Sequence, residues 1–301
     1  MEFYDLLQRR CPPKKIQAHL PRTPSLTCDE LSKQLDALPP YYARGVVRVL
    51  VEMFENGSLE DPDETLADLL YHRVVTLPPT QDPTPQQDII TYAITDRIRP
   101  RIPETPRLIA HGTTGHRTWE ASLYLCVYLL RNSPPRRILE IGAGTGLVST
   151  ALAMAGHDVV STDGSASVVR QLQQTFELNE VTPNATAHVL RWGVDQLPPL
   201  SPCADLVVAA DVTYDTAVIP SLCSCLQQTH AACLVACTVR NQSTLSAFEQ
   251  HCRKKCMAIT LVASTETEPN CIEHLMFGPL VCPVRIYRVS PNQGQYIKED
   301  V

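Results

Sequence analysis

The sequence predicts an α/β fold: a seven-strand, mostly parallel sheet with helices on both faces, preceded by an all-helical N-terminal region. From about Arg107, β-branched runs alternate with helical patterns, which is typical of a parallel sheet. The last two predicted strands have no helical pattern between them. We therefore expect a hairpin-like final pair, whereas a dehydrogenase sheet would continue with another crossover helix.

The individual elements follow from the same alternation. We expect strands at residues 137–141, 158–162, 187–191, 205–210, 233–239, 258–263 and 284–289. Helices are expected between the early strands, at residues 146–155, 166–179, 217–229 and 243–255.

Residues 1–98 read as short helices separated by prolines, without the alternation of strands. A capping-box pattern at residues 27–30 predicts a helix that ends before the prolines at 39–40. Further helices are expected at residues 42–55, 64–72 and 88–97, and residues 77–85 (LPPTQDPTP) form an extended connector. We therefore expect a helical region over 1–98, with substrate recognition as its possible role, and one α/β domain over 99–301.

Composition restricts the class of partner. The net charge of −6 and pI near 5.8 lack the basic footprint of a nucleic-acid binder, so we expect no direct nucleic-acid partner. No apolar run approaches the roughly 20 residues of a membrane span. The 12 cysteines form no pair of C-x-x-C hooks, and the start MEFYDLLQRR lacks a signal region. These features favour a cytoplasmic location, reduced thiols packed as small hydrophobes, and no metal.

Residues 137–146 (RILEIGAGTG) predict a strand, a glycine turn and a helix, whose unpaired N–H groups face a ligand. A dinucleotide site has a third glycine where Leu147 stands, so pyrophosphate binding is disfavoured. The shorter spacing of Gly142, Gly144 and Gly146 suits the methionine and ribose parts of S-adenosylmethionine, with Glu140 near the ammonium group. The alternative is a purely structural turn.

Two further residues extend this predicted cofactor site. Asp163 follows the second strand, about twenty residues after the glycines, where a carboxylate can accept hydrogen bonds from both ribose hydroxyls. A helix cap is the competing role. Trp192 ends the third predicted strand and can stack on adenine, but large aromatic residues are also common in cores.

The end of the fourth predicted strand brings catalytic candidates to the same edge. Ligands of open α/β sheets bind outside the carboxyl ends of the strands, so Asp211 and Tyr214 are expected to face the transferred methyl group. A carboxylate there attracts and orients a lysine ammonium, and an aromatic wall excludes water. A cap for the next helix is the alternative for Asp211.

The segments at residues 211–214 (DVTY) and 113–121 (TTGHRTWEA) show a resemblance to a known family. The first resembles the (D/E)-x-x-(Y/F) motif of the seven-strand protein-lysine methyltransferases, and the second resembles the T-T-G-x-x-T-W-(D/E)-A segment of their elongation factor 2 branch. Residues 209–214 and 238–241 are also similar to that branch, and the close match covers about 113–241.

The resemblance implies a Rossmann-like methyltransferase sheet, S-adenosylmethionine as cofactor and elongation factor 2 as the protein substrate. It places Trp119 and Ala210 at the cofactor with the residues named above. Arg240 and Asn241 either hold the substrate backbone or form a simple turn, and His116 and Arg117 are expected on a solvated basic face. Methylation of RNA or another protein, or a non-catalytic binding protein, are the alternatives. The N-P-P-(Y/F/W) motif of amide and base methylation is not matched.

Overall fold

The structure is a computed structural model that describes residues 3–19, 26–59, 65–77, 87–105, 114–198 and 204–291. The chain divides into two compact units, Met1–Thr91 and Tyr92–Val301. Of the predicted connector 77–85, all but Leu77 lies outside the described residues. Within the described residues, every helix is too short or too polar to span a bilayer.

The first unit contains five described helices and one strand. They are α1 Phe3–Gln8, α2 Pro13–His19, α3 Cys28–Asp36, α4 Pro40–Glu55, α5 Thr65–Thr76 and β1 Asp88–Thr91. Helix α4 starts with Pro40 in its first turn, where the missing N–H costs nothing, and buries Val46, Leu50 and Met53. Helix α3 begins after Thr27 as predicted, but the Thr27 side chain makes no capping hydrogen bond. The helices predicted at 42–55 and 64–72 are confirmed.

The helix predicted at residues 88–97 is wrong. Its first four residues form the strand β1. Further along, the N–H groups of Ile94 and Thr95 donate to the Ile98 carbonyl in a turn. The β-branched run that follows Asp88 favours extended backbone. Asp88 is itself buried and held by Arg10, whose guanidinium lies 2.6 Å from its carboxylate. These tertiary contacts outweigh the apolar spacing that suggested a helix.

The second unit is built on a seven-strand sheet. Its strands, in the order in which they lie in the sheet, are β5 Ala185–Val189, β4 Asp158–Asp163, β3 Arg137–Ile141, β6 Leu206–Ala210, β7 Cys233–Thr238, β9 Val284–Pro291 and β8 Met257–Ser264. The first five are parallel, and β9 is antiparallel to both of its neighbours. The strand β2 Arg101–Glu104 precedes this sheet in sequence. The predicted final hairpin is confirmed.

Helices cover both faces of the sheet, because neighbouring strand residues point to opposite sides. They are α6 Glu120–Arg131, α7 Leu147–Met154, α8 Ala166–Leu178, α9 Ile219–Gln228, α10 Gln242–Lys254 and α11 Glu273–Met276. Ile138 packs in one core with α6, α7 and α8, whereas Leu139 packs in a second core with α9 and α10. The predicted fold class is therefore confirmed.

Two details differ from the sequence prediction. Strand β5 spans Ala185–Val189 rather than 187–191, because its register places Ala185 opposite Val159 and leaves Trp192 in the following turn. A single helical turn, α11, lies between β8 and β9 where no helix was expected. Neither difference alters the topology, and both lie outside the central strands β3 and β6.

Candidate active site

A cavity of about 440 Å³ lies at the carboxyl ends of β3, β4 and β6. Parallel strands bring their carboxyl ends to one edge, and adjacent loops diverge there to leave a crevice. Eight of the twelve predicted site residues line it: Trp119, Gly142, Gly144, Asp163, Trp192, Ala210, Asp211 and Tyr214. The other four, Glu140, Gly146, Arg240 and Asn241, do not line this cavity.

Gly142 opens the cavity floor directly after β3. Its φ of +69° lies in the left-handed region that favours glycine, and a Cβ built there would be 2.6 Å from a methyl carbon of Val212 and 3.3 Å from the Trp192 ring. Gly146 has a different role, because a Cβ there would be 2.6 Å from Leu172 of α8. The first glycine keeps the cavity open, and the last allows α7 to pack.

Glu140 contacts the helix that follows the glycine loop and does not line the cavity. It is paired with Ser161 of β4 in the sheet register and lies on the same face as Ile138, so its side chain meets α7. Its carboxylate accepts hydrogen bonds from the N–H of Ser149, at 3.1 Å, and from the Ser149 hydroxyl. Burial raises the pKa of Glu140 to about 7. Its contact with the ammonium group of the cofactor stays a prediction.

Asp163 ends β4 and faces the cavity. One carboxylate oxygen accepts from the N–H of Gly144 at 3.2 Å, and the other accepts from the N–H of Ser165 at 3.0 Å. Burial raises the pKa of the Asp163 carboxyl, and the backbone hydrogen bonds partly oppose that effect. The side chain thus combines the predicted position at the cavity with the alternative role of holding the start of α8.

Residues 114–119 form a wall of the cavity above the glycine loop. The hydroxyls of Thr118 and Thr145 are 2.8 Å apart, and a Cβ at Gly144 would be 3.3 Å from the Gly115 carbonyl oxygen. His116 is buried and its Nδ1 contacts the Gln171 side chain, so the predicted solvated face is wrong for this residue. Arg117 is exposed but lines the cavity. The motif at residues 113–121 therefore has a structural basis in loop packing, although Thr113 lies outside the described residues.

Trp192 follows β5 and contributes a half-buried ring to the cavity. The ring also packs against the core on the α9 and α10 side. Both predicted roles are compatible with this position, since one part of the indole contacts the core and another faces the space over Gly142.

Asp211 lies immediately after β6 in the left-handed conformation, with φ of +54°. Oδ1 of its carboxylate accepts from the Thr238 N–H at 3.0 Å, and Oδ2 accepts from the Thr238 hydroxyl at 3.0 Å and from Arg240 at 3.1 Å. A helix-cap role is not seen, because α9 begins only at Ile219. These contacts fix the carboxylate between the main cavity and a smaller one of about 70 Å³.

Arg240 and Asn241 follow β7 and have different surroundings. Arg240 pairs with Asp211 and, at 2.8 Å, with Glu120 at the start of α6, while its guanidinium carbon lies 4.7 Å from the centroid of the Trp119 ring. The Asn241 side chain caps α10 by accepting the Ser243 N–H at 2.9 Å. Both line the smaller cavity beside Asp211.

Tyr214 borders both cavities, and 61% of its surface is exposed. Partial burial, together with the charges of Asp163 and Asp215, raises the pKa of its hydroxyl. Tyr214 therefore lies where the two cavities meet, and its role as a channel wall stays a prediction. Glu120 completes this region and was not predicted from sequence, since only the fold brings it to Arg240.

The cavity suits the predicted cofactor by size and by chemistry. Its volume falls within the usual range of about 300–1,000 Å³ for small-ligand sites. Gly142 leaves space that a Cβ would fill in any other residue. Asp163 supplies acceptors for hydroxyl groups, and the Trp192 ring offers a flat apolar surface. Among the described residues, no group of three or more His, Cys, Asp or Glu side chains is placed to hold a metal ion.

Fold and site together define an α/β enzyme that holds a nucleoside-type cofactor at the carboxyl edge of its sheet and presents a carboxylate and an aromatic ring beside it. Residues 109–254 match the lysine methyltransferase family model. The chain belongs to the protein-lysine N-methyltransferase family, and its cofactor is S-adenosylmethionine, as the glycine loop predicted.

Several known proteins are similar to this chain. It is 34% identical to the protein-lysine N-methyltransferase EFM3 of Saccharomyces cerevisiae, over 96% of this chain and 98% of that protein. It is 30% identical to the protein-lysine N-methyltransferase EEF2KMT of Homo sapiens, over 69% and 68% of the two chains. Among solved structures, the magnesium protoporphyrin IX methyltransferase of Synechocystis with bound SAM aligns over 57% of this chain and 79% of that chain, at 18% identity and a TM-score of 0.44.

Proposed function

We propose that the protein transfers a methyl group from S-adenosylmethionine to the ε-amine of a lysine in translation elongation factor 2, in the cytoplasm. The observation that carries the proposal is the position of Asp211 and Tyr214, which border both the cofactor cavity and the smaller cavity beside it. The similarity of residues 113–121 to the elongation factor 2 branch supports the choice of substrate, as does the 30% identity to human EEF2KMT.

The residues of the cavity wall would hold the cofactor. Asp163 would accept hydrogen bonds from the ribose hydroxyls, the Trp192 ring would lie against adenine, and Gly142 would leave room for close approach to the backbone. Trp119 and Ala210 form apolar parts of the same lining. When bound, S-adenosylmethionine supplies a methyl group activated on a cationic sulfur.

The residues after β6 would hold the incoming lysine. Asp211 binds the ammonium group and orients the nitrogen, and the Tyr214 ring limits its movement and the access of water. The lysine proton leaves to water before the attack. The nitrogen lone pair would then form the bond to the methyl carbon, and the electron pair of the broken sulfur–methyl bond would remain on sulfur.

The first unit is proposed to recognise the substrate. A single lysine amine fits a narrow channel without help, so choosing one lysine on a large folded protein requires additional surface. In helix α5 of that unit, Tyr71, Val74 and Val75 are exposed, with Val75 84% accessible. Exposed apolar side chains of this kind are available for contact with a protein.

Labelled methyl transfer tests the proposal directly. Purified protein and labelled S-adenosylmethionine are added to cell extract, which is then separated into protein and nucleic-acid fractions, and in parallel to purified elongation factor 2. We expect label on a lysine of elongation factor 2. Label confined to nucleic acid would overturn the protein assignment, and label on other proteins alone would overturn the substrate.

A further inference from the structure

Arg240 is held by three different groups at the mouth of the site. Its guanidinium donates to Glu120 at 2.8 Å and to Asp211 at 3.1 Å, and it lies over the Trp119 ring. The side chain of Asp211 is only 8% exposed, whereas those of Glu120 and Arg240 are 34% and 40% exposed. The cation therefore bridges a buried carboxylate at the reaction site and a more exposed carboxylate outside it.

A carboxylate that binds a lysine ammonium also opposes the loss of its proton. A free lysine has a pKa of about 10.4, so only roughly one molecule in a thousand is neutral near pH 7.4. An unpaired Asp211 beside it would raise that pKa further, because a nearby negative charge favours the ammonium form. The site must therefore bind the ammonium and yet release its proton.

We propose that Arg240 is a positioning residue that offsets the charge of Asp211, so that the lysine held at this carboxylate becomes neutral near physiological pH. Glu120 and the Trp119 ring keep the guanidinium at this position after the substrate has entered. The inference rests on the proposed function, since it requires a lysine at Asp211.

The hydrogen-bonding capacity of Asp211 allows this arrangement. A carboxylate has about four acceptor positions, and the structure shows three bonds, from the Thr238 N–H, the Thr238 hydroxyl and Arg240. A lysine nitrogen can therefore be accommodated without displacing the guanidinium. The Trp119 ring also favours a cation over its face, which stabilises Arg240 independently of the two carboxylates.

Other ionisable groups on the surrounding elements also affect the electrostatic potential at the site, and they are unchanged in every variant. They are Arg117, Asp163, Arg191, Asp215, Tyr214 and Cys237. Because they are common to every variant, a change in pH dependence on removing Arg240 or Glu120 reports the altered charge of this cluster.

The test is the single-turnover rate of methyl transfer to purified elongation factor 2 between pH 6.5 and 9.5, with substrate and cofactor saturating. Such a rate reports groups of the bound complex. Arg240→Gln should move the rising limb of the pH–rate profile to higher pH by about one unit, as expected for a partly screened unit charge at this distance. The rate near pH 7.5 should then fall roughly tenfold and recover at high pH. Glu120→Gln removes the negative charge that opposes Arg240 but keeps a hydrogen-bonding side chain beside the guanidinium, which Asp211 and the Trp119 ring also hold. It should therefore move the limb to lower pH.

Matched variants separate this role from a structural one. Arg240→Lys keeps the charge and should retain the wild-type profile, whereas Arg136→Gln removes a cation that pairs with Asp158 at the opposite end of the sheet and should change nothing. Cofactor affinity and melting temperature identify any variant that is misfolded, and Glu120→Gln then carries the test. An equal loss of rate at every pH in Arg240→Gln would overturn this inference but leave the proposed function standing. The same holds if the pH–rate profiles of Arg240→Gln and Glu120→Gln shift in the same direction. A wild-type protein that methylates no lysine would overturn both this inference and the proposed function.

Discussion

The hydroxyl groups of Thr118 and Thr145 lie 2.8 Å apart and join the two segments that enclose the cofactor cavity. Thr145 belongs to the glycine loop after β3, and Thr118 directly precedes Trp119 at the start of α6. Thr118 also hydrogen-bonds to the buried Glu104. The wall of the cavity is thus fixed to its floor by a short polar contact.

Thr118→Val should weaken cofactor binding by about 1 kcal/mol, or roughly fivefold, because it replaces the hydroxyl by a methyl group of similar size. Affinity is lost because the cavity wall formed by residues 114–119 is held less firmly against the glycine loop. Calorimetric titration with S-adenosylmethionine measures it, and Thr260→Val on the exposed part of β8 is the control. Unchanged affinity in Thr118→Val would show that the contact is dispensable.

Asp163→Asn should weaken cofactor binding by about 1–3 kcal/mol, because charge-assisted hydrogen bonds to the ribose are lost. Asp158→Asn, at the other end of the same strand, is the matched control and should leave affinity unchanged. The same titration with NAD should give no heat of binding, since Leu147 occupies the position of the third dinucleotide glycine. If Asp163→Asn binds as tightly as the wild type, the side chain only holds Gly144 and Ser165.

The positions of the strands along the chain and the edge that carries the site could be predicted because both depend on local patterns. Strand β3, the glycine turn and α7 are contiguous in sequence. Asp163 is the last residue of β4, and Asp211 directly follows β6. The ion pair of Arg240 with Glu120 could not be predicted, since only the packing of α6 beside the end of β7 brings these residues together. Local spacing carries no information on such contacts.

Glu140 shows a second limit of the sequence argument. The glycine pattern identified the residue, but its direction depends on the strand alternation that also turns Ile138 toward α7. For His116 the sequence indicates no role beyond a solvated basic face, whereas the side chain is buried against Gln171 of α8. In both cases the tertiary contact decides which way the side chain points.

Glu140→Gln should remove the contribution of this carboxyl group to the pH dependence of the free energy of unfolding. An unfolded glutamate has a pKa near 4.3, and burial raises that of Glu140 to about 7. Between these values the folded state retains a proton that the unfolded state has lost, so the free energy of unfolding falls as pH rises, and it is constant above about pH 7. Relative to the wild type, the variant should therefore gain on the order of 3 kcal/mol between pH 4.5 and 8.

Chemical denaturation of both proteins at pH 4.5 and pH 8 measures this difference. Glu177→Gln, at an exposed position on α8, provides the control, since its stability should follow that of the wild type at both pH values. Parallel pH profiles for the wild type and Glu140→Gln would contradict a raised pKa at Glu140.

Removal of the first unit should separate cofactor binding from protein methylation. A chain that starts at Tyr92, where the second unit begins, keeps the complete seven-strand sheet and every cavity residue. We expect it to bind S-adenosylmethionine with unchanged affinity and to lose methylation of elongation factor 2. Circular dichroism establishes that the shortened chain is folded. Full methylation by that folded chain would show that the first unit does not recognise the substrate.

Asp211→Asn should slow the chemical step on the order of 10²-fold or more, the usual cost of losing a positioned catalytic group, while cofactor affinity stays nearly constant. Asparagine retains the shape and an acceptor for the Thr238 N–H, but it removes the charge that attracts the lysine and holds Arg240. Asp205→Asn is the matched control, because Asp205 precedes β6 as Asp211 follows it and also pairs with an arginine.

Tyr214→Phe should be milder than Tyr214→Ala in the same assay, because the proposed channel wall depends on the packing of the ring more than on the hydroxyl. Single-turnover methylation of purified elongation factor 2 measures both variants, after cofactor affinity has been determined separately for each. Near wild-type turnover in Asp211→Asn would remove that residue from the catalytic site. Equal losses in the two tyrosine variants would instead assign the function to the hydroxyl, which would then have to contact the lysine nitrogen directly.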